Sequence, residues 1–524
     1  MIKPGVFTRV SLFRVLTFVT MRKGILLFGA GKSATVLIDY LLGEAWEENW
    51  LLTVVDTDLA VVNKKIGDSP HGRAASFDIF DDEARRDAIR KADIVISLMP
   101  PSLHILIAKD CVAFSKNLLT ASYVDEAMRA LKNDIEQKGL LFLCEMGLDP
   151  GIDHMSAKKL IDEIHEAGGR ITTFLSYCGG LVAKESDNNP WHYKISWNPR
   201  NVVTAGKAGA IFKQNDQVTE LEYKDLFSTK RYVPIPEGEV MCWYPNRDSL
   251  SYIPVYGLQH CSTFIRTTLR HPDFIYGWKN IIDLNLTDEK HLYETDGKTL
   301  SAFFKEHMDR SGFTEWLEQK LHDQFDSTKD LLAELVNLVA LEQKAAEKGV
   351  EAAEEFMVVD DSGDLRNIDI DDLKVNAAAS LADKMHDASL TLKQLFFLGM
   401  DDDITVSNKG KCTAADVLQF VLERKLALLP TDKDLIIMLH EIEYQKDGKI
   451  YKSTSTLSLT GRDNVHTAMA ATVGLPLGIA AKLVLNGTIR EKGLRIPVTR
   501  EIYAPVLEEL KKHDIIFKEQ TQIL

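Results

Sequence analysis

Several features are scarce in this sequence, and each scarcity removes a class of function. The six cysteines, Cys111, Cys144, Cys178, Cys242, Cys261 and Cys412, include no CxxC pair. That spacing supports neither a zinc site nor a disulfide framework and fits a reducing, cytoplasmic setting. No stretch approaches the ~18 unbroken apolar residues of a membrane span. Basic residues are outnumbered 62 to 77, for a net charge of -15. Nucleic acid is therefore not an expected partner, because it calls for a clustered basic surface. No repeat is visible, and the aspartates of the acidic stretch from Glu351 to Asp372 do not keep calcium-loop spacing. That stretch reads as a solvated loop, and no metal is expected.

What is present is an ordinary globular composition, 45% hydrophobic and 27% charged over 524 residues. Such a chain makes about two to four domains. Its first twenty residues carry Lys3, Arg9 and Arg14 and no acid. Arg14 interrupts the apolar run and no small-residue cleavage site follows, so a signal peptide fits poorly. A misplaced start ahead of Met21 fits better than a transit peptide.

Gly24 to Phe28 is a short apolar run that ends at a glycine turn, the mark of a buried parallel strand. Helical spacing follows from Ala34 to Leu42. Further strands are expected at Leu51 to Val55, Ala92 to Ser97, Leu118 to Thr120 and Leu140 to Cys144. This alternation predicts an α/β fold with a doubly wound, Rossmann-type parallel sheet. Beyond residue 148 the rhythm changes to strands such as Thr172 to Tyr177 and Thr263 to Leu269, set between long loops. Residues 280–432 read as helical. A strand pair joined by Asp447-Gly448 returns at Leu435 to Glu443 and Tyr451 to Leu459, a hairpin signal. A small-residue helix opens at Thr467. The expected division is a dinucleotide-binding domain at 21–147 completed by 464–524, and a mixed-sheet substrate domain at 148–279 with 433–463. An all-helical domain at 280–432 is inserted into the latter, and 1–20 form an N-terminal extension.

Gly29-Ala30-Gly31-Lys32-Ser33-Ala34 has the form G-x-G-x-x-A. Gly29 makes the tight turn, Gly31 lets backbone approach a pyrophosphate, and Ala34 permits close helix–sheet packing at a helix N-terminus. The motif follows a strand, opens a helix, and precedes a second strand ending in Asp56. An acid there hydrogen-bonds the adenosine ribose and repels a 2′-phosphate, so NAD(H) is expected over NADP(H). Asp58 could take the same part. A loop acid capping Leu59 onward is the bland reading.

Two further stretches are dense in polar, aromatic and glycine residues. One runs from Glu145 to His154; the other runs from Leu175 to Leu181 and on through Asp187 to Asn198. They read as a pocket mouth or as a domain hinge. Thr120-Ala121-Ser122-Tyr123, Gly147 to His154, Phe174 to Leu181, Tyr193 to Trp197, Tyr244 to Ser249, Arg266 to Arg270 and Met469 to Gly474 resemble the glutamate-forming saccharopine dehydrogenases (saccharopine reductases). These stretches occur in that family's order from about residue 24 onward.

The resemblance implies interconversion of saccharopine, NAD(P)+ and water with glutamate and 2-aminoadipate 6-semialdehyde, and a homodimer. It implies pyrophosphate contacts at Gly29, Gly31, Lys32 and Ser33, and adenine contacts at Asp78 and Ile79. Met99 would line the cofactor cleft, and Leu148, Asp149 and Pro150 would lie beside the nicotinamide; Ala121, Ser122 and Asn198 complete the cofactor set. Substrate contacts would be Ser122, Tyr123, Asp149, Arg247, Thr268, Leu269 and Arg270. Saccharopine carries three carboxylates, for which the forks of Arg247 and Arg270 are natural partners. Asp149 and Tyr123 are the expected proton carriers or amine binders. Cys178 and His154 read as buried packing residues. Relatives of NADP type carry Cys-Arg-Thr where this chain has Asp56-Thr57-Asp58, which strengthens the NAD expectation. The residues leave two alternatives, a dehydrogenase of another amine-linked acid (carboxynorspermidine or opine type) and a non-catalytic NAD-binding protein.

Overall fold

The computed structural model describes residues 22–236, 238–320, 322, 329, 355–359, 365–369, 386, 387 and 389–524. The extension 1–20 and most of 321–385, within the expected helical block, lie outside the described residues. In the first layer the strands are Gly24–Phe28 (β1), Leu51–Val55 (β2), Gly72–Ala75 (β3), Ile94–Ser97 (β4), Asn117–Thr120 (β5) and Leu141–Leu143 (β6). They pair in parallel with Gly493–Arg495 in the order Gly493–Arg495, β6, β5, β4, β1, β2, β3. Ile25 and Leu27 enter one apolar core while Leu26 and Phe28 enter another. Covering both faces is what a near-continuous apolar strand requires.

Helix α1 (Thr35–Glu47) packs against the late helix Ala468–Leu485, whose N-cap Thr467 accepts a bond from Ala470 N–H at 2.9 Å. A Cβ at Gly474 would lie 2.9 Å from the Leu37 nitrogen, so glycine is what lets these helices touch. Ala468–Leu485 is long and apolar enough to cross a membrane but is 72% buried within the protein. It is a core helix that joins the C-terminal segment to the parallel sheet.

The second layer is a ten-stranded mixed sheet. Its principal strands are Arg170–Val182 (β7), Val240–Pro245 (β8), Thr263–Arg270 (β9), Asp434–Lys446 (β10) and Lys449–Thr460 (β11). β9 runs parallel to β7, with Arg266 beside Ser176 and Thr268 beside Cys178. β10 lies on the other side of β7, so residues 271–433 leave the sheet and return two strands away. β10 and β11 form the expected hairpin; Asp447 (φ 50°) and Gly448 (φ 75°) take the left-handed conformations of a two-residue turn. Helix α2 (Ile152–Glu166) connects the two layers, running from the parallel sheet's last turn into β7.

Among the described residues between β9 and β10, helices surround an aromatic core that includes Trp191, Phe274 and Trp278, and the short strand Leu292–Glu294 pairs with Lys411–Thr413. The acidic stretch expected to be a loop differs: Glu355–Val359 and Leu365–Asp369 pair as a hairpin. Its Phe-Met-Val-Val run is a β signal that outweighs the flanking charges.

Helix α3 (Pro272–Asp283) is tied to the loop after β7 by charge. His192 Nδ1 lies 2.6 Å from Asp187 and its Nε2 3.3 Å from Asp273, which His386 meets from 3.0 Å. Among the described residues, His192, His271 and Asp273 bring possible metal-ligating atoms within 4.8 Å of one another. The His192 and His271 rings, however, stack face to face at 4.0 Å. Two imidazoles so stacked cannot both aim a nitrogen in-plane at one ion; the ion pair of His192 with Asp273 and the capping of α3 by His271, which accepts from Asp273 N–H at 3.2 Å, account for the group.

Hydrogen bonds to Asp187 and Asp273 lift His192 to about 9. Burial pushes Asp273 up, but bonds from His192 and His386 outweigh it and bring that carboxyl to about 2. The histidine's contribution to stability is complete below its unfolded value of about 6.5 and disappears as pH rises through the folded value. The aspartate's is complete above its unfolded value of about 3.9 and disappears as pH falls. His192→Ala is expected to cost ~1 kcal/mol between those limits, after discounting for solvent screening. In thermal melts the deficit should close by about pH 10; a deficit independent of pH would contradict this account.

Candidate active site

The glycine turn lies between β1 and α1. Gly29 has φ 98°, and a Cβ there would sit 3.0 Å from the Leu98 carbonyl oxygen, so only glycine fits. Gly31 has φ -65°, open to any residue, and a Cβ there would meet nothing within 4 Å. Neither backbone nor packing demands glycine at that position, whereas close approach by a phosphate does. The turn therefore fits a dinucleotide. Lys32 and Ser33 follow in the same turn; Lys32 Nζ lies 3.5 Å from the Ile195 carbonyl, and burial lowers its pKa. Residues 195–198 thus lie near the turn, although the Asn198 side chain is occupied as an N-cap, accepting from Arg200 N–H at 2.9 Å.

Asp56 faces its own loop. One oxygen accepts from Ala30 N–H at 2.7 Å, and the other from Asp58 N–H and the Thr57 hydroxyl. Asp58 caps the following helix through Ala60 and Val61 N–H. Lys65 brings a cation to the same place, with Nζ 2.6 Å from the Gly31 oxygen and 2.8 Å from the Thr35 hydroxyl. Burial brings that ammonium down to about 8. Asp78 accepts from Phe80 N–H, Ile79 is buried, and Met99 packs at the edge of the core beneath them.

Both β5 and β6 end at the carboxyl edge of the parallel sheet, where ligand sites of such sheets form. Ala121, Ser122 and Tyr123 follow β5. The Ser122 hydroxyl and Ser97 bracket His104, each at 2.8 Å, and burial brings His104 down to about 4, so the imidazole is neutral. Leu148, Asp149 and Pro150 follow β6 in a turn closed by Gly147 N–H to Pro150 O at 2.9 Å. Gly151 has φ 148°, and a Cβ there would overlap the Gly147 backbone.

Tyr123 donates to Asp149 Oδ1 at 2.9 Å. Arg266 Nη2 donates to the same oxygen at 2.7 Å and to Asp153 Oδ2 at 2.8 Å. Arg266 is 2% exposed, and its Nη1 is buried with no partner among the described residues. Burial, then the charge of Asp153, pushes the Asp149 carboxyl up. Burial also acts on Asp153, but His154, Arg266 and the Gly151 N–H outweigh it and hold that carboxyl low. The Tyr123 phenol is driven up by burial and by Asp149, so it stays protonated.

Strand alternation places Arg266, Thr268 and Arg270 on one face of β9. Leu269 points the other way, into a core with Tyr177, Ile437 and Leu439, so the structure does not bring its side chain to the site. Arg270 stacks 5.2 Å over Tyr193; its Nη1 donates to the Leu269 carbonyl, and its Nε is buried without a partner among the described residues. Arg247, at φ 54°, is exposed and stands 5.2 Å over the Tyr123 ring. Cys178, on β7 beside Thr268, is buried, which pushes its thiol well up.

Arg266, within the stretch Arg266 to Arg270, and Lys65 are not among the expected site residues, and His154 is expected only to pack. Arg266 was signalled by its two-residue spacing from Thr268 and Arg270 within one strand. Lys65 had no signal, because its approach to Gly31 depends on how the second helix packs.

Comparison with known proteins fits this geometry. The family described as "Saccharopine dehydrogenase C-terminal domain" matches residues 147–516. The family described as "Saccharopine dehydrogenase NADP binding domain" matches residues 25–143. The chain belongs to the saccharopine dehydrogenase family. It is an oxidoreductase of that family, 32% identical over 505 residues to "Saccharopine dehydrogenase [NADP(+), L-glutamate-forming]" of Saccharomyces cerevisiae, covering 96% of this chain and 100% of the yeast protein. It is 29% identical to "Alpha-aminoadipic semialdehyde synthase" of Arabidopsis thaliana, covering 96% of this chain and 45% of that protein. The solved structure of apo saccharopine dehydrogenase (L-Glu forming) from S. cerevisiae superposes with a TM-score of 0.74 at 30% identity, covering 95% of this chain and all of that one.

The expectation of NAD(H) over NADP(H) is overturned. The matched nucleotide-binding family is an NADP one, and the yeast relative is named for NADP(+). The physical reason is that Asp56 is committed to bracing the glycine loop, so its presence does not report on charge discrimination. Lys65 also places a cation beside that loop.

Proposed function

We propose that this protein interconverts saccharopine, NADP+ and water with L-glutamate, L-2-aminoadipate 6-semialdehyde, NADPH and a proton. The observation that carries the reading is the group Tyr123–Asp149–Arg266 at the carboxyl edge of the parallel sheet, with Arg266 buried and Tyr123 and Asp149 half-buried. Arg247 and Arg270 flank it, with no carboxylate partner for either among the described residues. The names and full-length match of the fungal relatives support the same substrate. Bound NADP+ supplies the acceptor for the hydride on the carbon next to the substrate's secondary amine.

The protein's own groups do the rest. Arg247 and Arg270 pair with substrate carboxylates and fix the amine over Asp149. Asp149 exchanges a proton with the substrate nitrogen as water adds to the C=N carbon and the C–N bond breaks. Tyr123 and Arg266 hold the carboxyl in place throughout, and glutamate leaves as the amine.

Purified protein with saccharopine is expected to reduce NADP+, followed at the absorbance of reduced nicotinamide. No turnover with either nicotinamide cofactor would sink the substrate reading, and a clear preference for NAD+ would sink the cofactor. Arg247→Ala and Arg270→Ala are each expected to raise the KM for saccharopine about 10- to 150-fold, the worth of a charge-assisted contact. The KM for NADP+ should hardly move; equal weakening of both would place the pocket elsewhere.

A further inference from the structure

Behind the reacting carboxyl lies a buried set of charges with no assigned part. Glu145, just after β6, is 3% exposed and adopts φ 58°, a backbone conformation that is costly for a side chain of this kind. Its Oε1 accepts from Val124 N–H at 3.1 Å. Its Oε2 accepts from His154 Nε2 at 2.9 Å and from the Tyr252 hydroxyl at 3.0 Å. His154 is wholly buried; its Nδ1 meets the Tyr256 hydroxyl at 2.6 Å and lies 3.6 Å from Asp153 Oδ2. Tyr252 stacks on the imidazole at 5.0 Å, and Arg266 lies 4.4 Å over the other ring, that of Tyr252.

Burying so many charged groups costs several kcal/mol per ion unless each is paired, and an apolar core would pack the same volume without that cost. The pairing here is directional. Asp153 and Asp149 hang on a single nitrogen of Arg266, so a charge on one raises the proton affinity of the other. The imidazole stands 3.6 Å from Asp153 Oδ2 and is the strongest influence holding that carboxyl low, whereas on Asp149 its charge ranks behind those of Asp153 and Arg266.

We propose that Glu145 and His154 are a positioning pair for the acid–base carboxyl Asp149, acting through Asp153 and Arg266. The pair keeps the negative charge on Asp153, so the exchangeable proton belongs to Asp149; this rests on the saccharopine reading of the site. The titratable and charged groups facing the pair are Asp153 from α2, Asp149 from the preceding turn and Arg266 from β9. Tyr252 and Tyr256 face it from the segment before β9, Tyr123 from the end of β5 and His440 from β10. The raised Asp149 and lowered Asp153 agree with the assignment.

His154→Gln retains hydrogen-bonding capacity toward both Glu145 and Tyr256 but cannot carry charge. Without the imidazole, Asp153 takes up a proton more readily and Asp149 less so. The acidic limb of the kcat/KM profile for saccharopine is expected to move about one pH unit lower, the scale of a neighbouring-charge effect. Glu145→Gln should shift it the same way, and the double variant by no more than the larger single shift.

A second readout needs no turnover. The infrared carboxyl band that Asp149→Asn abolishes should titrate at lower pH in either single variant of the full-length protein. If melting temperature falls while both the limb and the band stay put, the pair is only packing and the proposal is overturned. If the band shifts but the unaltered protein does not oxidise saccharopine, the pairing stands and the substrate reading fails. Should His154→Gln not fold, Glu145→Gln carries the same test.

Discussion

Arg266→Met is expected to cost about 3–5 kcal/mol of stability, the penalty for stranding buried charge. Both Asp149 and Asp153 lose the nitrogen they share, and Tyr252 loses the cation over its ring. Two adjacent carboxyls, one buried and one half-buried, are strongly disfavoured from both staying ionised without a cation, so at least one should take up a proton as the variant folds. Denaturation in urea should therefore show a deficit that shrinks as pH falls. Arg266→Lys keeps the charge but reaches two carboxylates less well than a planar fork, and it should recover part of the stability. A methionine variant within about 1 kcal/mol of the parent, at the level of an exposed ion pair, would mean that the pairing is not a structural keystone.

Asp149→Asn is the second large effect, and it should separate chemistry from binding. The amide fills the same space and can still accept the Tyr123 hydroxyl, but it cannot exchange a proton with the substrate nitrogen. A positioned acid–base group contributes about 10²- to 10⁴-fold to rate, so kcat should fall by that factor. The glycine turn is untouched, so the dissociation constant for NADP+, measured by quenching of protein fluorescence, should stay within about twofold of the parent, under 0.5 kcal/mol. Tyr123→Phe should be milder, because it removes one bond to Asp149 and leaves the one from Arg266. A kcat for Asp149→Asn near that of the parent would assign proton transfer to another group, with the substrate amine itself the first to examine.

Much of this was legible in the chain. The run Gly24 to Phe28, the turn Gly29 to Ala34 and the Asp447-Gly448 hairpin are local signals, and each formed where local physics placed it. The site stretches around Tyr123, Asp149, Arg247 and Arg270 were visible as motifs. Asp56 shows the limit. Its position at a strand end was read correctly, but its meaning depended on where its two oxygens point, and they point into the loop. Leu269 shows another: it stands within the right segment, and the pleat turns its side chain to the far face.

By itself, then, the sequence determined the parallel sheet, the glycine turn after its first strand, and a supply of arginines and acids suited to the proposed substrate. Those depend on periodicity and on residue chemistry, which neighbours in the chain decide. Tertiary structure alone decided that Arg266, 117 residues from Asp149, would hold that carboxyl together with Asp153. It also decided that Lys65 would reach Gly31, and that Glu145 and His154 would meet behind the site. Pairings of this kind are fixed by how two sheets and their helices pack in three dimensions, and no local pattern in the chain encodes that distance.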